Sequence, residues 1–170
     1  MPNPLLAPHT GVVENLSGIT IAPEPPDSEL ASQLLARYYT ELDSRFPEGF
    51  DPLLAVAVPA AELSAPLGTF LVAYLDGKPV GCGAMRRLDE TSAEIKRMWV
   101  DPAARHCGVG RGLLRALEEA AAEADCEVVR LDTSVHLDEA ISLYRSSSYQ
   151  EIDPYNDNCY AGCWFEKRLC

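Results

Sequence analysis

Residues 105–112 read Arg-His-Cys-Gly-Val-Gly-Arg-Gly: three glycines within five residues, with Arg105 ahead of them and Arg111 among them. The stretch follows a β-rich run that ends at Asp101-Pro102. It precedes Leu113, Leu114, Leu117, Ala120, Ala121 and Ala124, which fall on one face of a helix over 110–124. Glycines between a strand and a helix let the backbone approach a ligand closely, and the free N–H groups of the helix N-terminus attract an anion. Two familiar phosphate patterns do not fit. The G-x-G-x-x-G fingerprint needs glycine at position 113, which is Leu113, and no G-K-[ST] tripeptide occurs.

The bulk charge makes this loop conspicuous. The 170-residue chain carries 14 Lys+Arg against 26 Asp+Glu, a net charge of −12. Nucleic-acid binding relies on basic surface, and so does attraction to an anionic membrane, so both are excluded as expectations. An anionic partner must be held by a local site, and Arg105, Arg111 and the glycine amides are that site. Residues 1–66 hold 9 acidic and 2 basic residues, an excess suited to an amine-bearing substrate. The six cysteines include no C-x-x-C pair, so no metal is expected. Met1–Thr10 has neither a basic start nor a long apolar run, and no stretch is apolar enough to span a membrane. The expectation is a cytoplasmic protein with reduced thiols.

Outward from the loop, the pattern gives one domain. Ten of the 13 prolines fall before residue 67, and Pro2, Pro4 and Pro8 make residues 1–17 a tail or edge segment. The domain is read over 18–170. A short strand at 18–22 is followed by a helix from the Ser28 cap to Phe46-Pro47, with Leu30, Leu34, Leu35, Tyr38 and Leu42 at helical spacing. Residues 47–66 are irregular, with one short helix at 60–63. Strands at 69–75 and 79–88 flank an Asp76-Gly77 hairpin turn. Further strands are expected at 92–100, 127–133, 149–152 and 160–169, and a helix at 138–147. This is an α/β (α+β) single domain with a mixed sheet.

Read together, Ala93-Glu94-Ile-Lys-Arg-Met98-Trp-Val100-Asp-Pro102 leading into Arg105-x-x-Gly108-x-Gly110 resembles the core motif of the GNAT superfamily of N-acetyltransferases. The resemblance continues through Leu131-Asp-Thr133 and Ala140-Ile-Ser-Leu-Tyr144-Arg to Trp164-Phe-Glu-Lys-Arg-Leu169. It implies a central, mostly antiparallel sheet flanked by helices, with splayed strands forming a cleft for acetyl-CoA. The pyrophosphate falls to the backbone of His106, Cys107, Gly108, Val109, Gly110, Arg111 and Gly112 beside Arg105, and the pantetheine arm to Met98, Trp99 and Val100. Tyr144 takes the place of the general acid that protonates the departing thiolate. Glu94 matches a general base, a role that a bound water also fills in the family. Direct attack needs no acyl-enzyme, so no cysteine nucleophile is required. The N–H of Met98 or Val100 on a bulged strand is expected to meet the oxyanion.

The resemblance implies that the acceptor, read as a primary amine of a small molecule, is bordered by the first helix and the last hairpin. The candidates there are Tyr38, Arg45, Asn156 and Asn158. Arg45 either clamps a substrate carboxylate or pairs with Asp43, and the asparagines either orient substrate or build a hairpin loop. Two alternatives stand beside this reading: a non-catalytic acyl-CoA-binding domain and a peptide N-acetyltransferase. A homodimer is compatible with the family. Two positions depart from its pattern: His106 and Ser148 stand where glycine is common, and serine suits a left-handed helix cap less well.

Overall fold

Short-range chemistry sets most of the element boundaries. In the computed structural model, which describes residues 13–14 and 18–170, Asp76 (φ 49°) and Gly77 (φ 80°) form the left-handed pair that a tight hairpin requires. They join β3 (Gly68–Leu75) to β4 (Lys78–Arg87). Before them lie β1 (Val13–Glu14), β2 (Ile19–Pro23) and α1 (Glu29–Arg45). The Ser28 side chain caps α1 by accepting the Ala31 N–H at 3.0 Å, and Pro47 forces Phe46 into extended backbone at the other end. A 3-10 turn at Ala60–Leu63 is the one helical piece of the loop that follows. After the hairpin come β5 (Ser92–Val100), α2 (Val109–Glu123), β6 (Val128–Thr133), α3 (Asp138–Ser146), β7 (Gln150–Ile152) and β8 (Cys163–Arg168).

The described strands form one sheet in the order β1-β2-β3-β4-β5-β6-β8-β7, antiparallel except for the β5–β6 pair. Val13–Glu14 pairs with Thr20–Ile21 at the edge. The rest of the tail expected over 1–17 lies outside the described residues. Side chains alternate across the sheet, so Leu71 and Ala73 face α2 while Phe70 and Val72 face α1. Both faces are covered, which explains why β3 and β4 are nearly continuous apolar runs. Leu113, Leu114, Leu117 and Ala121 supply the buried stripe of α2.

Two irregularities create the site. The parallel ladder between β5 and β6 lasts only from Ser92–Glu94 opposite Val128–Arg130, after which the strands diverge. In the β4–β5 pair the register shifts between Cys82, opposite Trp99, and Ala84, opposite Lys96. Two residues, Arg97 and Met98, therefore oppose Gly83 alone: a β-bulge, with Arg97 at a left-handed φ of 56°. One extra residue reverses the faces beyond it. Trp99 thus joins the α1-side core, while Met98 and Val100 turn to the other face.

Candidate active site

The divergence of β5 and β6 opens two adjoining cavities, one of ≈ 750 Å³ and one of ≈ 360 Å³. The larger runs along Met98, Trp99 and Val100, past Arg105 and His106, to Gly108, Val109, Gly110 and Arg111, with Leu143, Tyr144 and Ser146 of α3 opposite. Gly108 has φ 89° and caps α2, a conformation that favours glycine. A Cβ on Gly110 would come within 3.3 Å of Leu143 Cδ2, so a side chain there would crowd the cleft. Gly112 serves a different end: its missing Cβ makes room for Ile21 on the sheet. Cys107 is exposed and not in the cleft wall. The first bond of this helix type is Gly112 N–H to Gly108 O at 3.0 Å, which leaves the N–H groups just before it without helical acceptors. A diphosphate fits this cradle, with Arg111 beside it, which among the described residues meets the hydroxyls of Ser146 (3.1 Å) and Ser147 (3.5 Å) and no carboxylate.

Arg105 plays another part than the expected free cation. Its guanidinium binds both Glu41 oxygens at 2.7 and 2.6 Å, Glu139 at 3.1 Å and the Val100 carbonyl at 3.1 Å. It ties α1 and α3 to the end of β5 while lining the cleft. Arg45 joins the same clasp through both Glu139 oxygens and the His136 carbonyl at 2.8 Å. Arg45 does not form the expected pairing with Asp43. It lies on the rim of the larger cavity, away from the smaller one, and Asp43 instead accepts the Phe50 N–H at 2.9 Å. The Arg45 hydrogen bond is the main reason the Glu139 carboxyl is held down to about 2.

The bulge orients the backbone at the cleft. Asp101 N–H bonds to Val80 O on the β4 side, whereas Val100 O faces Arg105 in the cleft. Strand alternation then directs the N–H groups of Val100 and Met98 to that same side, where β6 no longer pairs. Trp99 is turned away from chemistry: its indole N–H donates to Glu41 at 3.1 Å and Arg37 stacks over its ring.

The smaller cavity lies between α1, the 47–58 loop, the end of β6 and residues 158–161. Phe46, Phe50 and Tyr160 form its aromatic side, with Phe46 stacked on Tyr160 at 5.6 Å and Phe50 at 4.8 Å from Tyr160. Tyr38, Met98, Leu137, Ala140 and Tyr144 line both cavities and form their junction. Among the described residues the Tyr144 hydroxyl has no hydrogen-bond partner, and no fully buried polar side-chain atom lacks one. The hydroxyl therefore opens onto the cavity. Burial, then the charge of Asp132, raise its pKa, so the phenol stays protonated and able to donate. Tyr38 is raised too, by burial and then by Tyr144, which places the two phenols within electrostatic reach.

Glu94 is buried and lies outside the walls of both cavities. Arg86 Nε donates to its Oε1 at 3.0 Å, Lys96 Nζ sits 3.4 Å away, and the Tyr155 hydroxyl donates to Oε2 at 2.7 Å. The asparagines face a carboxylate that sequence reasoning passed over. Asn156 Nδ2 donates to Asp132 Oδ2 at 2.6 Å and Asn158 Nδ2 to Oδ1 at 2.9 Å. Asn158 lines the smaller cavity, while Asn156 stands behind it, accepting the Trp164 indole N–H at 2.9 Å. Asp132 itself is in the cavity wall, as are Lys96 and Arg97. The available signal for Asp132 was its place at the C-terminal end of a parallel strand, where open sheets bind ligands. All six cysteines are free thiols, and burial pushes Cys82 up to about 12, so it is no nucleophile.

A splayed parallel pair, a bulge and a glycine cradle over one cleft define an acyl-CoA-dependent transferase. The chain belongs to the acetyltransferase (GNAT) family, whose sequence profile matches residues 31–149. It is 33% identical over 141 residues to an IAA acetyltransferase of Azospirillum brasilense, covering 82% of this chain and 90% of that protein. It is 31% identical over 137 residues to the N-alpha-acetyltransferase RimI of Mycobacterium tuberculosis, covering 79% and 84%. A GNAT acetyltransferase from Elizabethkingia anophelis, solved with acetyl-CoA bound, shares the fold at a TM-score of 0.61 and 17% identity, over 89% of this chain and 99% of that one. The protein is thus an N-acetyltransferase that uses acetyl-CoA, and none of its described helices is long and apolar enough to cross a membrane.

Proposed function

We propose that the protein transfers the acetyl group to a primary amine of a small molecule, which enters the smaller cavity and attacks the thioester carbon directly in a ternary complex, with no acyl-enzyme. The observation that carries this reading is the position of Tyr144, whose hydroxyl, without a partner among the described residues, stands where the glycine-loop cleft meets a separate, aromatic-walled cavity holding a carboxylate. Acetyl-CoA supplies the activated acyl group. Asp132, steadied by two amides, binds the ammonium and takes its proton, which passes to solvent. The neutral nitrogen bonds to the acyl carbon as the C–S bond breaks. The backbone N–H of Met98 or Val100 meets the charge that builds on the acyl oxygen. Tyr144 gives its proton to the sulfur and is restored by the second proton leaving nitrogen through Asp132. One ammonium and one thioester become one amide, one thiol and one released proton.

The two relatives named above carry names with different acceptors, so the cavity carries the argument about the acceptor. At ≈ 360 Å³ it has the volume of a small-molecule site. The test is thiol release across a panel of small amines and of peptides with free N-termini. Turnover of small amines with Asp132→Asn slowed about 100-fold is the expected result. Turnover of peptides alone supports the RimI-like reading. Tight CoA binding without turnover of any amine supports a non-catalytic domain.

A further inference from the structure

The charge on the acceptor side of the protein is the opposite of what bulk composition suggests. Three charged side chains face the smaller cavity: Asp132, Lys96 and Arg97. Lys96 lies 3.4 Å from Glu94, and Asp132 is held by amides. Arg97 is different. Among the described residues its guanidinium has no carboxylate partner, and its one hydrogen bond is a long contact of 3.5 Å from Nη2 to the Val58 carbonyl. Of the arginines lining the larger cavity, Arg45 and Arg105 each bind at least one carboxylate, while Arg111 meets the hydroxyls of Ser146 and Ser147. Arg97 is the arginine of this cavity's wall, half-buried and, among the described residues, left without a carboxylate in a chain of net charge −12.

The backbone places Arg97 there at a cost. It adopts φ 56° at the bulge opposite Gly83, a conformation unfavourable to a side chain with a Cβ. The bulge itself serves the cleft, but it needs no arginine. A guanidinium in a cavity wall offers a planar fork of donors that matches a carboxylate in two-pronged fashion.

We propose that Arg97 reads a carboxylate on the acceptor, and that the acceptor is an amino acid with an aromatic or comparably large apolar side chain. This rests on the small-amine reading above. Asp132 receives the ammonium, Arg97 the carboxylate, with Lys96 adding positive charge, and Phe46, Phe50 and Tyr160 the apolar group. The three kinds of surface line one cavity, so one molecule meets all three. Desolvation strengthens both charge contacts and penalises an analogue lacking either group.

The experiment compares phenylalanine, phenylalaninamide and 2-phenylethylamine as acceptors, by initial rates of thiol release, in the wild type, Arg97→Gln and Arg97→Lys. A short peptide with an N-terminal phenylalanine is the fourth acceptor, and thermal melting confirms that each variant is folded. The wild type is expected to favour phenylalanine over the amide and the amine by about 10- to 100-fold in kcat/KM. Arg97→Gln is expected to raise the KM for phenylalanine and collapse that preference toward one, with Arg97→Lys between. Turnover of all three small amines without preference for the acid, or a preference that survives in Arg97→Gln, overturns the assignment and leaves the small-amine reading standing. No turnover of the small amines alongside turnover of the peptide overturns both. No turnover of phenylalanine by the wild type overturns the assignment in any case.

Discussion

The Tyr155 hydroxyl donates to Glu94 Oε2 at 2.7 Å, closing the last open side of a carboxylate that Arg86 and Lys96 already hold. The same bond, with burial as the larger cause, raises the pKa of Tyr155. Glu94 therefore links β5 to β4 and to the chain after β7, and it lies outside the walls of both cavities. Glu94→Gln leaves Lys96 without a carboxylate and Arg86 with Glu62 alone, a loss of about 1–3 kcal/mol in stability. Thermal or denaturant unfolding should show that loss, and the pH profile of kcat/KM should keep its shape. A variant of full stability whose rate recovers only at high pH would return the base role to Glu94.

The residues at 106 and 148 pay for departing from glycine. His106 has φ 65° and Ser148 has φ 70°, both in the left-handed region. Ser148 follows the end of α3, where its N–H reaches Arg145 O at 3.4 Å. Ser148→Gly should stabilise the protein by about 1 kcal/mol, seen as a higher melting temperature. His106→Gly should do the same and leave the cradle amides in place.

The clasp of Arg45 and Arg105 on Glu139 gives a pH dependence with a definite sign. Glu139 is held to about 2 in the folded protein against an ordinary 4.5. A depressed carboxyl stabilises the fold above its unfolded pKa, and that contribution is lost as pH falls from 4.5 toward 2. Because Glu139 is partly exposed, solvent screens the effect and the slope is modest. Melting temperatures between pH 5 and 2 should fall less steeply in Glu139→Gln than in the wild type. Parallel slopes would show that the clasp contributes nothing.

The legible part of this protein was local. Ser28, the Phe46-Pro47 pair, Asp76-Gly77 and the glycines of 108–112 each fix a boundary through backbone chemistry that neighbouring residues determine. The resemblance directed attention to Tyr144 and the glycine loop, and both contribute to the wall of the larger cavity. The illegible part was tertiary. The bulged strand itself holds no glycine or proline, so the reversal of faces that buries Trp99 and turns Arg97 to the cavity left no trace in the periodicity of β5. Arg45 found its carboxylate 94 residues away, not at Asp43. Glu94 met Tyr155 across 61 residues, and the asparagines met Asp132. The acidic excess before residue 67 supplies no carboxylate to the wall of the smaller cavity, where Asp132 comes from β6 and Lys96 and Arg97 also line it.

Tyr144→Phe tests the central claim most directly, because among the described residues the lost hydroxyl has no partner and only the reaction should miss it. Single-turnover and steady-state rates of thiol release, with CoA affinity measured by titration, are the measurement. The account predicts kcat lowered about 100-fold, with CoA affinity and melting temperature close to wild type. An unchanged kcat in a folded, CoA-binding Tyr144→Phe protein would contradict it.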